Sequence, residues 1–176
     1  LPGELISMAE FWARSLKCAL IAQEIDSFLD KEFANSIFVC GMLHNIGQLV
    51  FFRRLPELSR EISLIQQSSE YSSDNDEISL EERIIGFNHY QTGAELTQLW
   101  KLPELITESI RLHPGSDTSE PYNKIASIIR LADFYSKNEL TESTSHINTL
   151  GISIENITAL IDKSSENFEE ILKVFS

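Results

Sequence analysis

The 176-residue sequence contains few cysteines, glycines and prolines. Its two cysteines, Cys18 and Cys40, lie in apolar surroundings, which excludes a disulfide framework and indicates buried thiols in a reducing compartment. Seven glycines and five prolines are few for an all-β protein, which needs many tight turns. No stretch reaches the roughly 20 apolar residues that cross a bilayer, and no signal-peptide pattern is recognised. We therefore expect a cytoplasmic protein with no membrane partner.

Basic residues are also scarce, because 14 lysines and arginines stand against 27 aspartates and glutamates. The resulting formal charge of −13 would repel a phosphate backbone, so the sequence disfavours nucleic acid as a partner. The rest of the composition is ordinary for a globular domain, with 42% hydrophobic and 23% charged residues. A chain of this length can bury a core without disulfides or a structural metal.

Apolar residues recur at helical spacing through the first third of the chain. Residues 4–29 predict one amphipathic helix. Asp30 is a candidate cap for a second helix that runs to about His44, and a third helix is expected to begin near Ile46. Pro56 suits the first turn of a fourth helix, because proline has no amide hydrogen to leave unpaired there.

The middle of the chain opens with a polar, acidic stretch, residues 68–82, which predicts a solvent-exposed loop leading into a short helix. Asn88 and Gln91 have the spacing of a capping box, in which each side chain bonds the other's backbone amide. Pro103 favours the start of another helix, and the Pro-Gly pair at 114–115 favours its end.

The last part of the chain continues the helical pattern. Residues 125–135 predict a helix, and a Ser/Thr-rich loop follows over 141–146. Ser153 and either Ser164 or Ser165 are candidate caps of two short terminal helices. No internal repeat and no clear strand alternation is present. The sequence therefore predicts an all-α, single-domain bundle of about seven to nine helices.

Chemistry-bearing residues are sparse and fall at particular places. Three of the four histidines, His44, His89 and His113, lie at expected helix ends, whereas His146 lies in the Ser/Thr-rich loop. Asp133 places a carboxylate in the middle of an apolar helix. Taken singly, each of these residues is more typical of a structural role than of a ligand.

Taken together, these residues resemble a known pattern in their order and spacing. The segment FVCGMLHNIGQL, residues 38–49, is similar to the G-L-L-H-D-I-G-K-L core of HD-type metal phosphohydrolases and of their signalling relatives, the HDOD domains. Four further segments resemble HDOD motifs in particular: FWARSLKCA at 11–19, GFNHYQTGAEL at 86–96, WKLPE at 100–104 and IRLHP at 110–114. The resemblance covers residues 8 to about 160.

The resemblance implies a helical bundle of the HD-domain type, with residues 1–176 forming one domain that lacks the additional N-terminal helices usual in the family. We therefore expect a fragment of a longer protein. It also implies that His44, His89, His113 and Asp133 converge inside the bundle. If any metal is bound, these four residues are the expected ligands.

Two departures from the HD pattern argue against catalysis. Asn45 stands where the catalytic families carry a metal-bridging aspartate, and its neutral amide is a poor bridge. Arg14 is the best match to the first histidine of the pattern, and a guanidinium repels a metal. With Asp133 the expected site charge falls from about −2 to about 0, so no metal is expected. We predict instead a vestigial pocket in which Arg14 pairs with Asp133 and Asn45 caps the helix that begins at Ile46.

The favoured interpretation is thus a non-catalytic bacterial regulatory output domain that needs no cofactor. Its expected partners are proteins, including other signalling domains of the same full-length protein, and homo-oligomers are compatible with it. Two alternatives stay open: an HD-type phosphohydrolase of nucleotides or cyclic dinucleotides, and a sensor that binds a nucleotide through Arg14 without cleaving it.

Overall fold

The computed structural model describes residues 7–68, 74–115, 122–137 and 148–175. All regular elements in these ranges are helices, which confirms the all-α prediction. They are α1 (Met8–Leu29), α2 (Ile37–Leu43), α3 (Ile46–Arg54), α4 (Pro56–Ser68), α5 (Asp74–Ile84), α6 (His89–Leu99), α7 (Glu104–Arg111), α8 (Asn123–Lys137) and α9 (Ile154–Phe175). None of these described helices is long and apolar enough to cross a membrane.

Helix α1 is the central element of the bundle. Its middle section, from Cys18 to Ala22, is buried on every side because α2, α8 and α9 all pack against it. The approach of α2 is especially close: a Cβ atom added to Gly41 would lie 2.5 Å from the Cα atom of Ala19. Only glycine fits at such a helix contact, so Gly41 fixes how near His44, three residues later, comes to α1.

Helices α3 and α6 meet in a second close contact. A Cβ atom added to Gly47 would lie 1.8 Å from the carbonyl oxygen of His89, and one added to Gly93 would lie 3.3 Å from the backbone nitrogen of Gly47. The two backbones therefore touch without intervening side chains. This contact places the first turn of α3 against His89, the first residue of α6.

Several sequence-predicted helix starts are confirmed. Asn88 and Gln91 form the expected capping box at α6, with both reciprocal hydrogen bonds at 3.0 Å. Pro56 is the first residue of α4. A further capping box, between Ser7 and Glu10, begins α1. These local signals are reliable where a side chain satisfies an amide that the helix itself leaves unpaired.

The predicted cap at Asp30 is wrong. Asp30 ends α1, and α2 does not begin until Ile37. The turn between them depends on Lys31, whose φ of 56° is left-handed, and on the buried carboxylate of Asp26, which accepts the backbone amide hydrogen of Phe33 at 3.1 Å. The carboxylate that stabilises this turn is therefore that of Asp26, one helical turn before Asp30.

The C-terminal prediction of two short helices is also wrong, because α9 is one continuous helix of 22 residues. Ser153 does accept the backbone amide of Asn156, at 3.3 Å. Ser164 and Ser165, however, lie in mid-helix and donate their hydroxyl hydrogens to the carbonyl oxygen of Ile161. Serine satisfies either role, so its presence does not by itself mark a helix start.

The acidic stretch at 68–82 contains less loop than expected, because α5 already begins at Asp74. The residues before it, 69–73, lie outside the described part of the chain, as does the Ser/Thr-rich segment 141–146 with its histidine. Helix α7 ends at Arg111, shortly before the Pro-Gly pair at 114–115.

Candidate functional site

A buried carboxylate on α8 organises the first part of the site. Asp133 is 1% exposed. Its Oδ1 atom lies 2.9 Å from Nε2 of His44, and its Oδ2 atom lies 2.8 Å from Nζ of Lys137 and 3.5 Å from Nε2 of His113. We call His44, His113, Asp133 and Lys137 the Asp133 cluster. The cluster contains three of the four residues that the resemblance expects to converge, namely His44, His113 and Asp133.

The hydrogen bonds of His44 reveal its charge. Its Nδ1 atom is 2.7 Å from the carbonyl oxygen of Gly41 and its Nε2 atom is 2.9 Å from Asp133. Both partners are acceptors, so both ring nitrogens must donate and the ring is an imidazolium. Burial alone would lower the pKa of His44, but the charge of Asp133 and the hydrogen bond to it outweigh burial and raise that pKa well above 6.5.

The same charges act on Asp133 in the opposite direction. Burial would raise the pKa of its carboxyl group, but the charges of Lys137 and His44 and the hydrogen bond from His113 hold that pKa well below 3.8. Asp133 is therefore an ionised carboxylate whose two oxygens both have cationic partners. A buried ion pair of this kind is stable only because its lone pairs are satisfied.

His113 behaves differently from His44. Burial is the main cause that lowers the pKa of His113 to about 4, so its ring is neutral at pH 7. Its position is fixed by Arg130 of α8, which donates to the carbonyl oxygens of His113 at 2.7 Å and of Leu112 at 3.1 Å. Arg130 thereby caps the end of α7 and ties it to α8.

The predicted pair between Arg14 and Asp133 is wrong. Arg14 is exposed on α1, and the cation at Asp133 is Lys137. Lys137 lies four residues after Asp133 on the same helix, a spacing that places two side chains on one face. The four-residue spacing in the sequence could therefore have identified Lys137 as the partner of Asp133. The residue of α1 that does lie beside His44 and Asp133 is Cys18, one turn after Arg14.

His89 lies outside the Asp133 cluster and has its own carboxylate. Glu81 of α5 accepts from the Nδ1 atom of His89 at 2.8 Å and from its backbone nitrogen at 2.9 Å. The ring of Tyr90 separates His89 from His113, with ring centroids 4.0 and 4.4 Å away. The Nε2 atom of His89 is buried and has no hydrogen-bond partner. Sequence reasoning identified His89 but missed Glu81.

A cavity of about 270 Å³ opens next to both groups. Arg14 and Lys137 supply cations to its wall, and Glu77 and Glu81 of α5 supply carboxylates. The remaining residues around it are apolar or uncharged: Phe11, Ser15, Asn45, Gln48, Phe51, Phe52, Ser59, Ile62, Ser63 and Gln66.

Asn45 is one of these cavity residues and is only 8% exposed. It occupies the position before the first turn of α3, as predicted, but its side chain makes no capping hydrogen bond. Its Oδ1 atom is instead buried without a partner. The expected capping role of Asn45 is therefore wrong, and its carbonyl oxygen is left as an unused acceptor.

Both cysteines are buried free thiols, as expected. Burial raises the pKa of each thiol, that of Cys40 to about 11. They are protonated at neutral pH and unreactive.

The Asp133 cluster does not fit a hydrolytic metal centre. Ligand atoms of Cys18, His44 and Asp133 do lie within 4.8 Å of one another. However, the ammonium group of Lys137 already contacts Asp133 at 2.8 Å, and the imidazolium of His44 has no free lone pair. Asn45 supplies no charge where a bridging carboxylate is needed. The cluster carries a net positive charge, which opposes a divalent cation.

Comparison with known proteins identifies relatives of the sequence. The HDOD domain family model matches residues 1–115. An uncharacterized protein of Treponema pallidum is 29% identical over 105 residues, which cover 59% of this chain and 20% of that protein. The match to the family ends at the Pro-Gly pair after α7, so the matched residues do not include Asp133 and Lys137 on α8.

Solved structures share the fold. An HDOD domain protein of unknown function from Geobacter sulfurreducens has a TM-score of 0.69 and 23% identity, covering 93% of this chain and 61% of its own. A response regulator from Methylococcus capsulatus has a TM-score of 0.68 and 19% identity, covering 90% and 63%. A proposed phosphohydrolase from Shewanella amazonensis has a TM-score of 0.69 and 24% identity, covering 92% and 60%. The chain thus spans about three fifths of these structures.

Proposed function

The chain belongs to the HDOD domain family, and we propose that it is a non-catalytic regulatory output domain of a bacterial signalling protein. The similarity to a response regulator from Methylococcus capsulatus supports this role. The similarity to a proposed phosphohydrolase from Shewanella amazonensis supports the fold equally well but not the chemistry.

One observation carries the proposal: the carboxylate of Asp133 is already neutralised by protein cations. Lys137 and the imidazolium of His44 each contact one of its oxygens, at 2.8 and 2.9 Å. A hydrolytic metal would have to displace the ammonium group and deprotonate His44 before it could bind there. Asn45 cannot supply the bridging charge that would compensate for that cost.

A domain without catalysis must act through contacts. We propose that the contacts are with proteins, including other domains of the same longer protein, in the bacterial cytoplasm. The coverage of the solved relatives is compatible with this, because about two fifths of each relative lies outside the match. The net charge of −13 argues against a nucleic-acid target.

A hydrolysis assay tests the absence of catalysis. The protein is incubated with bis(p-nitrophenyl) phosphate, nucleotides and cyclic dinucleotides in the presence of Mn²⁺ or Mg²⁺. We expect no turnover above a blank without protein. Turnover that His44→Ala removes would overturn the proposal.

A gain-of-function variant makes this test sharper. Asn45→Asp restores the missing carboxylate, but we expect it to remain inactive because Lys137 still contacts Asp133. The double variant Asn45→Asp, Lys137→Met is the matched comparison. Activity in the single variant would show that one substitution alone silenced the site.

The cavity favours ligand sensing as a second candidate function. Arg14 and Lys137 both line it, and two cations can recognise the phosphate of a nucleotide without cleaving it. A thermal-shift screen with nucleotides tests this candidate, with Arg14→Ala as the control. A nucleotide that stabilises the native protein and not the variant would support sensing through this cavity.

A further inference from the structure

A second cavity, of about 260 Å³, lies between α1, α8 and α9. We call it the α9 cavity, and we call the cavity beside Asn45 the first cavity. Lys17 of α1 and Lys137 of α8 line the α9 cavity, and none of the described residues around it is acidic. The first cavity, by contrast, has two glutamates in its wall. A wall with cations alone is unusual in a chain whose 27 acidic residues outnumber 14 basic ones.

Lys17 has no anionic partner among the residues that the structure describes. Its Nζ atom lies 5.2 Å from the centroid of the Phe168 ring, a neutral group that stabilises the charge without accepting its N–H hydrogens in ordinary hydrogen bonds. The same interface between α1 and α9 gives another lysine a carboxylate, because Lys163 contacts Glu24 at 2.6 Å. Lys17 therefore presents a positive charge and N–H donors to the α9 cavity.

Lys137 adds to the positive charge, although it contacts Asp133 at 2.8 Å. The carboxylate of Asp133 also contacts the imidazolium of His44, at 2.9 Å, so one anion faces two cations and the Asp133 cluster keeps a net charge of about +1. With Lys17 the wall of the α9 cavity has a charge of about +2. Such a surface attracts an anion even in a protein of negative net charge, because the nearest charges dominate the local potential.

Three serine hydroxyl groups stand beside these lysines. Ser136 donates its hydrogen to the carbonyl oxygen of Asp133 at 2.7 Å, and Ser164 and Ser165 donate theirs to the carbonyl oxygen of Ile161 at 2.8 and 2.9 Å. All three serines line the cavity. A hydroxyl oxygen that donates its own hydrogen still accepts through its lone pairs. The α9 cavity thus combines positive charge with neutral hydrogen-bond acceptors.

This combination selects a ligand that carries an anionic group and hydroxyl hydrogens together. A phosphate monoester has a charge of about −2 at neutral pH, which matches the charge of the wall, and lysine is a common phosphate ligand. The volume of about 260 Å³ is just below the range of roughly 300–1,000 Å³ for drug-sized ligands, so the cavity suits a small molecule.

We propose that the α9 cavity binds a small phosphate monoester that carries hydroxyl groups, with its phosphate on Lys17 and its hydroxyl groups toward the serines. Lys137 lines both cavities, but Lys17 lines the α9 cavity and Arg14 the first cavity. The proposed site does not depend on whether the domain is catalytic, nor on whether a nucleotide binds in the first cavity.

Isothermal titration calorimetry with sn-glycerol 3-phosphate as the probe tests this inference, and we expect one equivalent to bind. Lys17→Gln should weaken binding at least about tenfold, as expected when a charged hydrogen-bond donor to the ligand is lost. Arg14→Gln is the matched control, because it removes the same charge from an exposed position one turn earlier on α1. It should bind within about threefold of the native protein, since in about 0.1 M salt an exposed charge outside the cavity is largely screened.

Methyl phosphate, which has the same phosphate but no hydroxyl group, tests the role of the serines and should bind more weakly than the probe. Circular dichroism checks that Lys17→Gln is folded, as expected for an exposed side chain. Three results would overturn the inference: no binding at millimolar sn-glycerol 3-phosphate, equal losses in Lys17→Gln and Arg14→Gln, or methyl phosphate binding as tightly as the probe. None of these readouts uses turnover, so a failure here is distinct from a failure of the hydrolysis assay.

Discussion

Asp133 and Glu81 are both buried carboxylates, but Glu81 lines the first cavity whereas Asp133 reaches it only through its partner Lys137, and their surroundings differ. Asp133 is contacted by an imidazolium, a lysine and a neutral histidine. Glu81 is contacted by one imidazole and one backbone amide, with Glu77 nearby. Burial is nearly equal, at 1% and 3% exposure. Two carboxylates at nearly equal depth can therefore have very different amounts of positive charge around them, because the fold and not burial sets their partners.

Removing the charge of Asp133 should have the largest effect on stability. Asp133→Asn leaves the imidazolium of His44 and the ammonium of Lys137 facing each other without an anion. We expect the free energy of unfolding to fall by about 4 kcal/mol, the cost of an uncompensated buried charge. Urea denaturation followed by circular dichroism measures it. A loss below about 1 kcal/mol would mean that the cluster is solvated.

The close contact between α3 and α6 should give the next largest effect on stability. Gly47→Ala places a Cβ atom 1.8 Å from the carbonyl oxygen of His89, a backbone atom that cannot turn aside. We expect a loss of about 3 kcal/mol from overpacking. Gly93→Ala is the milder comparison at the same interface, because its added Cβ would lie 3.2 Å from Ile110 and 3.3 Å from the backbone nitrogen of Gly47, contacts that a shift of a few tenths of an ångström relieves. Equal losses in the two variants would contradict the close backbone approach.

The two histidines of the Asp133 cluster predict opposite pH dependences. The pKa of His113 is lowered to about 4, so between pH 6.5 and 4 the unfolded chain takes up a proton that the native state refuses. Stability must therefore fall as the pH falls through this window, by about 2 kcal/mol at pH 5. The pKa of His44 is raised above 6.5, so its contribution is full below pH 6.5 and is lost as the pH rises.

Substituting His113 and His44 one at a time separates their contributions to the pH dependence of stability. His113→Asn should flatten the acid side of the stability profile, and His44→Gln should flatten the alkaline side, although both variants lower the overall stability. Urea unfolding at pH 5, 6, 7 and 8 measures both limbs. The carboxyl group of Asp133 does not interfere, since its pKa lies well below 3.8. An unchanged acid limb in His113→Asn would show that another group takes up the proton.

Removing the charge of Lys137 should lower the stability less than removing the charge of Asp133. Its side chain is 23% exposed, whereas that of His44 is 2% exposed, so the desolvation penalty of the Lys137 charge is smaller. Lys137→Met leaves Asp133 paired with His44, and we expect a loss of about 1 kcal/mol, between the values for exposed and buried pairs. Urea denaturation followed by circular dichroism measures this loss.

The sequence predicts the fold better than the site. Apolar spacing indicates which segments are helical, because burial of one face requires it. Capping residues succeed at Asn88 but fail at Asp30, where a left-handed Lys31 turns the chain. Nothing in composition or spacing signals that turn. The predicted cap at Ser164 fails because a serine hydroxyl donates to a carbonyl oxygen within a helix as readily as it accepts an amide hydrogen at a helix start.

In the site, the family pattern correctly brings together His44, His113 and Asp133 but not their partners. Lys137 was identifiable from its four-residue spacing to Asp133 on one helix. Glu81 was not, because the contact between α5 and the start of α6 depends on tertiary packing. The orientation of Arg14 also depends on tertiary packing. Arg14 lies on α1 and lines the first cavity, but it is exposed and does not pair with Asp133.

Arg14 should therefore have the smallest effect of all. The pairing with Asp133 would have made Arg14→Ala cost roughly 3 kcal/mol, as expected for a buried ion pair. Its exposed position changes that expectation to less than about 0.5 kcal/mol, the usual range of surface substitutions. Urea unfolding beside Lys137→Met gives the comparison directly. A loss for Arg14→Ala that equals or exceeds the loss for Lys137→Met would mean that Arg14, and not Lys137, supplies the charge that keeps Asp133 ionised.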